Sequence, residues 1–103
     1  MRTGTFSDME MVEGDLVGSE LRVACTSKGY QGVFQVAEGV PSELYVVRLS
    51  FSHDSLAFAV LEGEYAGSFR GVVERDSLKG VLRFRNGGAM PIVLPRRRSY
   101  WDR

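Results

Sequence analysis

The chain has 103 residues and is poor in most of the side chains that carry chemistry. Its single cysteine, Cys25, leaves no partner for an internal disulfide, so the fold must rest on its core. Its single histidine, His53, and that lone thiol could complete a zinc site only with carboxylates, and no metal-ligand spacing is visible. Phosphate-cradling loops are missing too, because Gly14-x-x-x-Gly18 lacks the Lys-Ser/Thr that would follow it in a nucleotide-binding turn. We expect no cofactor. No apolar run approaches a membrane span, and Met1 to Phe6 has none fit for a signal peptide, which points to a cytoplasmic protein. Acidic and basic residues balance at 13 each, so no global field favours nucleic acid or a membrane. Helical periodicity is hard to find anywhere in the chain.

What the chain does have is a phrase used three times. Tyr30-Gln31-Gly32-Val33-Phe34 returns as Tyr65-Ala66-Gly67-Ser68-Phe69 and again as Leu78-Lys79-Gly80-Val81-Leu82. A two-residue period puts the Gly and both large side chains on one face of a strand. Glycine weakens a strand, so its recurrence marks a bend or a close backbone approach. Repeated from strand to strand, that curls a sheet toward a barrel.

Short apolar runs alternate with turn residues at intervals of about ten, the spacing of an all-β sandwich or barrel. Leu21, Val23 and Cys25 share one face of a strand, which places the thiol in the core. Further strands are expected over 30–37, 43–51, 56–61, 65–74, 78–85 and 89–94. Asn86-Gly87 signals a type I′ hairpin, and Pro91 an edge or a bulge. Residues 1–19 fit a helix or an eighth strand equally well, residues 1–11 being irregular in part, and 95–103 form a tail without period. Short links make successive strands neighbours. We therefore expect one domain over 1–103: an antiparallel up-and-down meander of seven or eight strands, forming a closed or nearly closed barrel.

The pattern resembles the small lipocalin-like (calycin-type) barrel, and in particular the β-module preceding the catalytic domain of some bacterial α/β hydrolases. The residues that carry the resemblance are Gly14-Asp15-Leu16-Val17-Gly18 with Leu21-Arg22-Val23, Leu56-Ala57-Phe58-Ala59-Val60, Tyr65 to Gly71, Leu78-Lys79-Gly80, and Met90 to Arg96. Leu16 stands where such barrels carry a tryptophan. The resemblance implies a concave interior suited to a small apolar ligand.

Tyr30, Phe34, Tyr45, Phe58, Tyr65, Phe69 and Phe84 should line that interior, either filling it or walling a pocket. Tyr30, Tyr45 and Tyr65 would supply polar contacts, because a buried hydroxyl wants a partner. The tail Arg96-Arg97-Arg98-Ser99-Tyr100-Trp101 combines guanidinium groups with aromatic rings, a combination that can bind phosphates and stack on bases. The chain's neutrality argues against that use. On the other reading, Tyr100 and Trp101 plug one barrel end while the arginines meet the acids of residues 1–20. Arg103 adds to the same basic end. His53-Asp54-Ser55 has the residue types of a hydrolytic triad, but three adjacent residues make a polar turn rather than a relay. Glu62, Glu64, Glu74 and Asp76 offer paired carboxylates at strand ends, of which Glu62 and Glu64, flanking a Gly in a turn, read as solvated. The reading that results is a non-enzymatic binding or interaction module, with nucleic-acid binding through the tail second and a small barrel enzyme third. Ala57, Ala59 and Leu61, on the outward face of a strand apolar on both sides, offer a homodimer surface.

Overall fold

A computed structural model of the chain describes residues 2–102. The fold is all-β, with ten strands among the described residues: β1 (Gly4–Ser7), β2 (Glu10–Val12), β3 (Asp15–Thr26), β4 (Gly29–Gly39), β5 (Tyr45–Arg48), β6 (Ser50–Ser52), β7 (Ser55–Val60), β8 (Gly67–Val73), β9 (Ser77–Phe84) and β10 (Ala89–Pro95). A 3-10 turn, Tyr100–Asp102, ends the described chain. No helix among the described residues is long and apolar enough to cross a membrane.

The strands form two antiparallel five-stranded sheets. The first runs β1-β3-β4-β5, with β2 also paired to β3; the second runs β10-β9-β8-β7-β6. Neither sheet closes on itself. Two junctions join them. At one, β5 and β6 are a single run broken only at Leu49. At the other, Phe6 bridges Arg96, and the Arg97 amide donates to the Thr5 carbonyl at 3.1 Å. From β3 to β10 successive strands are neighbours except at the sheet change, as the meander pattern anticipates.

Residues 2–19, ambiguous in the sequence, hold two strands and the start of a third. Glu13 and Gly14 both take positive φ and close a two-residue hairpin between Val12 and Asp15, so β2 folds straight back onto β3. The chemistry is that of an Asx-Gly turn with the acid one carbon longer. At the other end of the chain the expected type I′ turn needs correcting. Asn86 is not left-handed; Gly87 and Gly88 are, and the Gly87 amide reaches back to the Phe84 carbonyl at 3.1 Å. That is the longer hairpin loop in which an ordinary turn precedes the left-handed residue. Pro91 lies on β10, the edge of its sheet, where its missing N–H costs no ladder bond.

Of the glycines of the repeated phrase, Gly32 and Gly80 sit inside strands as expected, whereas Gly67 opens β8 and Tyr65, expected on that strand, lies in the turn before it. Gly71 and Gly80 face each other across the β8–β9 ladder, and the Phe69 ring lies over both. A Cβ at Gly80 would lie 2.5 Å from Phe69 Cζ and 2.7 Å from the Gly71 Cα, where an ordinary contact needs about an ångström more. Gly32 is held as tightly, 2.8 Å from the Arg22 carbonyl oxygen by the same measure. Absent side chains let neighbouring ribbons crowd together and bow, and an aromatic ring covers the gap.

The concave faces enclose one core, with Phe6, Leu21, Val23, Phe34 and Val36 from the first sheet against Leu56, Phe58, Phe69, Leu82 and Leu94 from the second. A second, smaller cluster lies on the outer face of the first sheet. There Met9, Leu16 and Ala37 are buried with Tyr100 packed on them. Cys25 corrects an expectation: it is exposed. β1 accompanies β3 only as far as Val23, and β5 accompanies β4 only over Gln31–Phe34, so the β3–β4 hairpin tip projects past its cover.

Candidate functional site

Of the seven aromatic residues expected to line the interior, Phe34, Phe58, Tyr65 and Phe69 are buried in the core and Tyr30, Tyr45 and Phe84 are partly buried against it, in three groups. Phe34, Phe58 and Phe69 form the centre, with Phe34–Phe58 centroids at 5.3 Å and Phe58–Phe69 stacked at 4.9 Å. Tyr30 lies at one end in edge contact with Phe51 at 4.8 Å, and the Arg2 guanidinium caps the pair, 4.8 Å from the Phe51 ring. Arg2 also donates to the His53 carbonyl at 2.9 Å. That carbonyl belongs to the exposed turn between β6 and β7, where His53 takes a left-handed backbone. Tyr45, Tyr65 and Phe84 close the opposite end, with Tyr65 centred 6.4 Å from Tyr45 and 6.3 Å from Phe84. The rings pack on one another between the sheets.

This last end carries the most perturbed groups. The Tyr65 hydroxyl donates to Glu38, and its pKa is pushed well above the ordinary phenol value by burial, then by that hydrogen bond and the carboxylate charge. Tyr45 is raised too, first by burial and then by the charge of Glu43. Both hydroxyls therefore stay protonated through the physiological range; Tyr65 donates to Glu38, while the Tyr45 oxygen accepts from the Tyr65 backbone. Carboxylates gather here, yet no group of three or more His, Cys, Asp or Glu among the described residues is placed to hold a metal ion.

The C-terminal tail is built into the molecule on the outer face of the first sheet rather than at a barrel end. β10 runs on past Pro95 to bridge β1, and the chain then crosses β3 and β4. Arg96 lays its guanidinium 4.4 Å from the Phe6 ring and donates to the Thr3 carbonyl at 2.7 Å and the Arg75 carbonyl at 3.1 Å. Arg97 donates to the Met9 carbonyl at 3.2 Å, while Arg98 points into solvent. The arginines do meet the N-terminal segment, but through its backbone carbonyls instead of its acids. The carboxylate that holds the tail is Glu20, buried on the outer face of β3. It accepts from the Ser99 hydroxyl at 2.6 Å and the Tyr100 amide at 2.8 Å. Arg22 then pairs with Asp102, a base of the N-terminal half meeting an acid of the tail. Arg103 lies outside the described residues.

Trp101 is the consequence of that docking. Its indole N–H donates to Gln35 Oε1 at 2.8 Å, and Tyr100 meets it edge-on at 5.1 Å. The ring is fixed in place yet 52% exposed. It walls a groove of about 360 Å³ whose other sides are Val33, Leu44, Glu20, Gln35 and the Arg22–Asp102 pair. Leu44 is 60% exposed, and Val46, across the ladder from Val33, is 76% exposed. An anchored aromatic wall, an apolar floor and a charged rim are the ingredients of a small-ligand or side-chain pocket. Of this group the sequence singled out Trp101 and Tyr100. Glu20 and Gln35 do not stand out in the sequence, because nothing local shows that a segment 80 and 66 residues later, respectively, covers them.

Comparison with known proteins returns no matching family model, no matching curated protein and no matching solved structure.

Proposed function

We propose that the chain is a non-enzymatic binding module whose ligand sits on its outer surface, in the Trp101 groove. The two sheets act as one flattened, nearly closed lipocalin-like barrel, joined at the Phe6–Arg96 bridge and through Leu49. The stacking of Phe34, Phe58 and Phe69 supports a filled interior, which moves binding to the outside. The observation that carries the reading is Trp101: its N–H is satisfied by Gln35, so the half-exposed ring offers an apolar face at no cost in unpaired polar groups. The groove suits a ring or a branched apolar side chain, with a polar edge toward Arg22 and Asp102. A cytosolic setting, where Cys25 stays reduced, agrees with an exposed lone thiol.

Trp101 is the only tryptophan, so its emission reports the groove directly. Titration with an amphiphilic aromatic probe such as anilinonaphthalene sulfonate should give saturable quenching of Trp101. Leu44→Asp should remove that quenching without lowering the melting temperature. Binding that survives Leu44→Asp, or that appears only as the protein melts, defeats the proposal.

A further inference from the structure

Charge is divided between the two sheets. The strands of the first carry Glu10, Asp15, Glu20 and Glu38 against Arg22 and Arg48, whereas the strands of the second contain no carboxylate at all. The outward face of the second sheet carries Arg70, Lys79 and Arg83. Pairing fixes their pattern: Arg70 stands opposite Val81, and Lys79 and Arg83 lie two residues to either side of Val81 on β9. Arg70 is thus the diagonal neighbour of both, at about 7–8 Å between backbone positions. All three side chains are exposed, and among the described residues neither Arg70 nor Arg83 has an ion-pair partner. Lys79 has one at the rim, Glu74 at 3.3 Å. Hydroxyls accompany the cations. Ser50, Ser52 and Ser55 line a shallow groove of about 500 Å³ with Arg70, and Ser68 and Arg83 share the wall of another.

We infer that this face binds the phosphate backbone of double-stranded nucleic acid. Guanidinium and hydroxyl donors are the groups that contact phosphates. Diagonal cation spacing on a twisted sheet matches a row of closely spaced negative charges better than it matches a single anion. The outward strand positions Ala57, Arg70, Val72, Val81 and Arg83 carry no aromatic ring, and Phe51 and Phe84, which line the two grooves, are turned against the core, so the face presents no open ring on which the bases of a single strand could stack. A second copy fits poorly, since a two-fold contact over Ala57 and Ala59 brings Arg70 and Arg83 toward their own copies. The surface lies on the opposite sheet from the Trp101 groove, so its test is independent of that reading.

Fluorescence polarisation with a labelled 20-base-pair duplex tests the inference. Three phosphate contacts predict a salt slope of about −3, hence roughly 40-fold weaker binding at 200 mM than at 50 mM salt. Arg70→Ala with Arg83→Ala should leave a slope of about −1 and a loss of only about 3.5-fold over the same range. Arg98→Ala, in the tail, should match the wild type. These exposed substitutions should leave the melting temperature unchanged, which circular dichroism checks. The inference is overturned by any of four results: no duplex binding at 50 mM salt, equal slopes for wild type and double variant, tighter binding to phosphatidylserine vesicles than to duplex, or a dimer in sedimentation that the double variant strengthens.

Discussion

Replacing Gly80 by Ala puts the account of the sheet curvature at risk. The added methyl would lie 2.5 Å from Phe69 Cζ and 2.7 Å from the Gly71 Cα, and closer still to the Arg70 carbonyl oxygen. Two of those three obstacles are backbone, so the β8–β9 ladder must spread. The third, the Phe69 ring, cannot swing aside freely because it is stacked on Phe58 at 4.9 Å. Overpacking of this kind costs about 1–3 kcal/mol, and backbone obstacles place Gly80 near the top of that range. Alanine returns about 0.4–1 kcal/mol by restricting the unfolded chain. The net loss should be about 2 kcal/mol, a fall in melting temperature on the order of 10 °C for a domain of this size. Thermal denaturation followed by circular dichroism measures it. A double-mutant cycle sharpens the test: in a Phe69→Leu background the ring obstacle is gone, so Gly80→Ala should cost about 1 kcal/mol less than it does alone. An unchanged or raised melting temperature for Gly80→Ala, or strict additivity in the cycle, refutes the reasoning.

Three further outcomes follow from other parts of the molecule. Glu20→Ala removes the acceptor of the Ser99 hydroxyl and the Tyr100 amide; hydrogen bonds to a charged group are worth about 1.5–3 kcal/mol, so stability should drop by roughly 2 kcal/mol while Trp101 emission shifts to the red. Tyr45 and Tyr65 hold their protons more tightly when folded than when unfolded, so stability is full below about pH 10 and is lost as pH rises beyond it. Urea melts from pH 8 to 11 should show that decline, and Tyr65→Phe should flatten it. Cys25 should react with Ellman's reagent in native buffer at the rate of a free thiol, and slow reaction until urea is added would mean that the hairpin tip is covered.

Much of this fold was legible in the chain because strands declare themselves by period. Tyr45 and Val47, and Leu56 with Phe58 and Val60, alternate so regularly that their common face follows from spacing alone. The repeated glycines announced curvature, and Gly80 under the Phe69 ring shows why. Expectations failed where the deciding fact was nonlocal. Cys25 continues the alternation of Leu21 and Val23, and only the lengths of the neighbouring strands leave it uncovered. Glu13-Gly14 was passed over because Glu is an uncommon substitute in such a turn, although the geometry is the same. The groove was half visible: Trp101 stood out as the sole indole, while Glu20 and Gln35 became partners only once β10 carried the tail across them. The charge division between the sheets is written in strand composition, yet it could not be read until the pairing assigned each strand to its sheet.

The fold is built on a solid aromatic centre resting on bare backbone, and a solution NMR spectrum of the native protein probes that contact most directly. The α-protons of Gly71 and Gly80 lie beneath the Phe69 ring, so they should resonate far upfield of ordinary glycine and show nuclear Overhauser contacts to the Phe69 ring protons. Glycine α-protons at unshifted positions, without contacts to that ring, would contradict it.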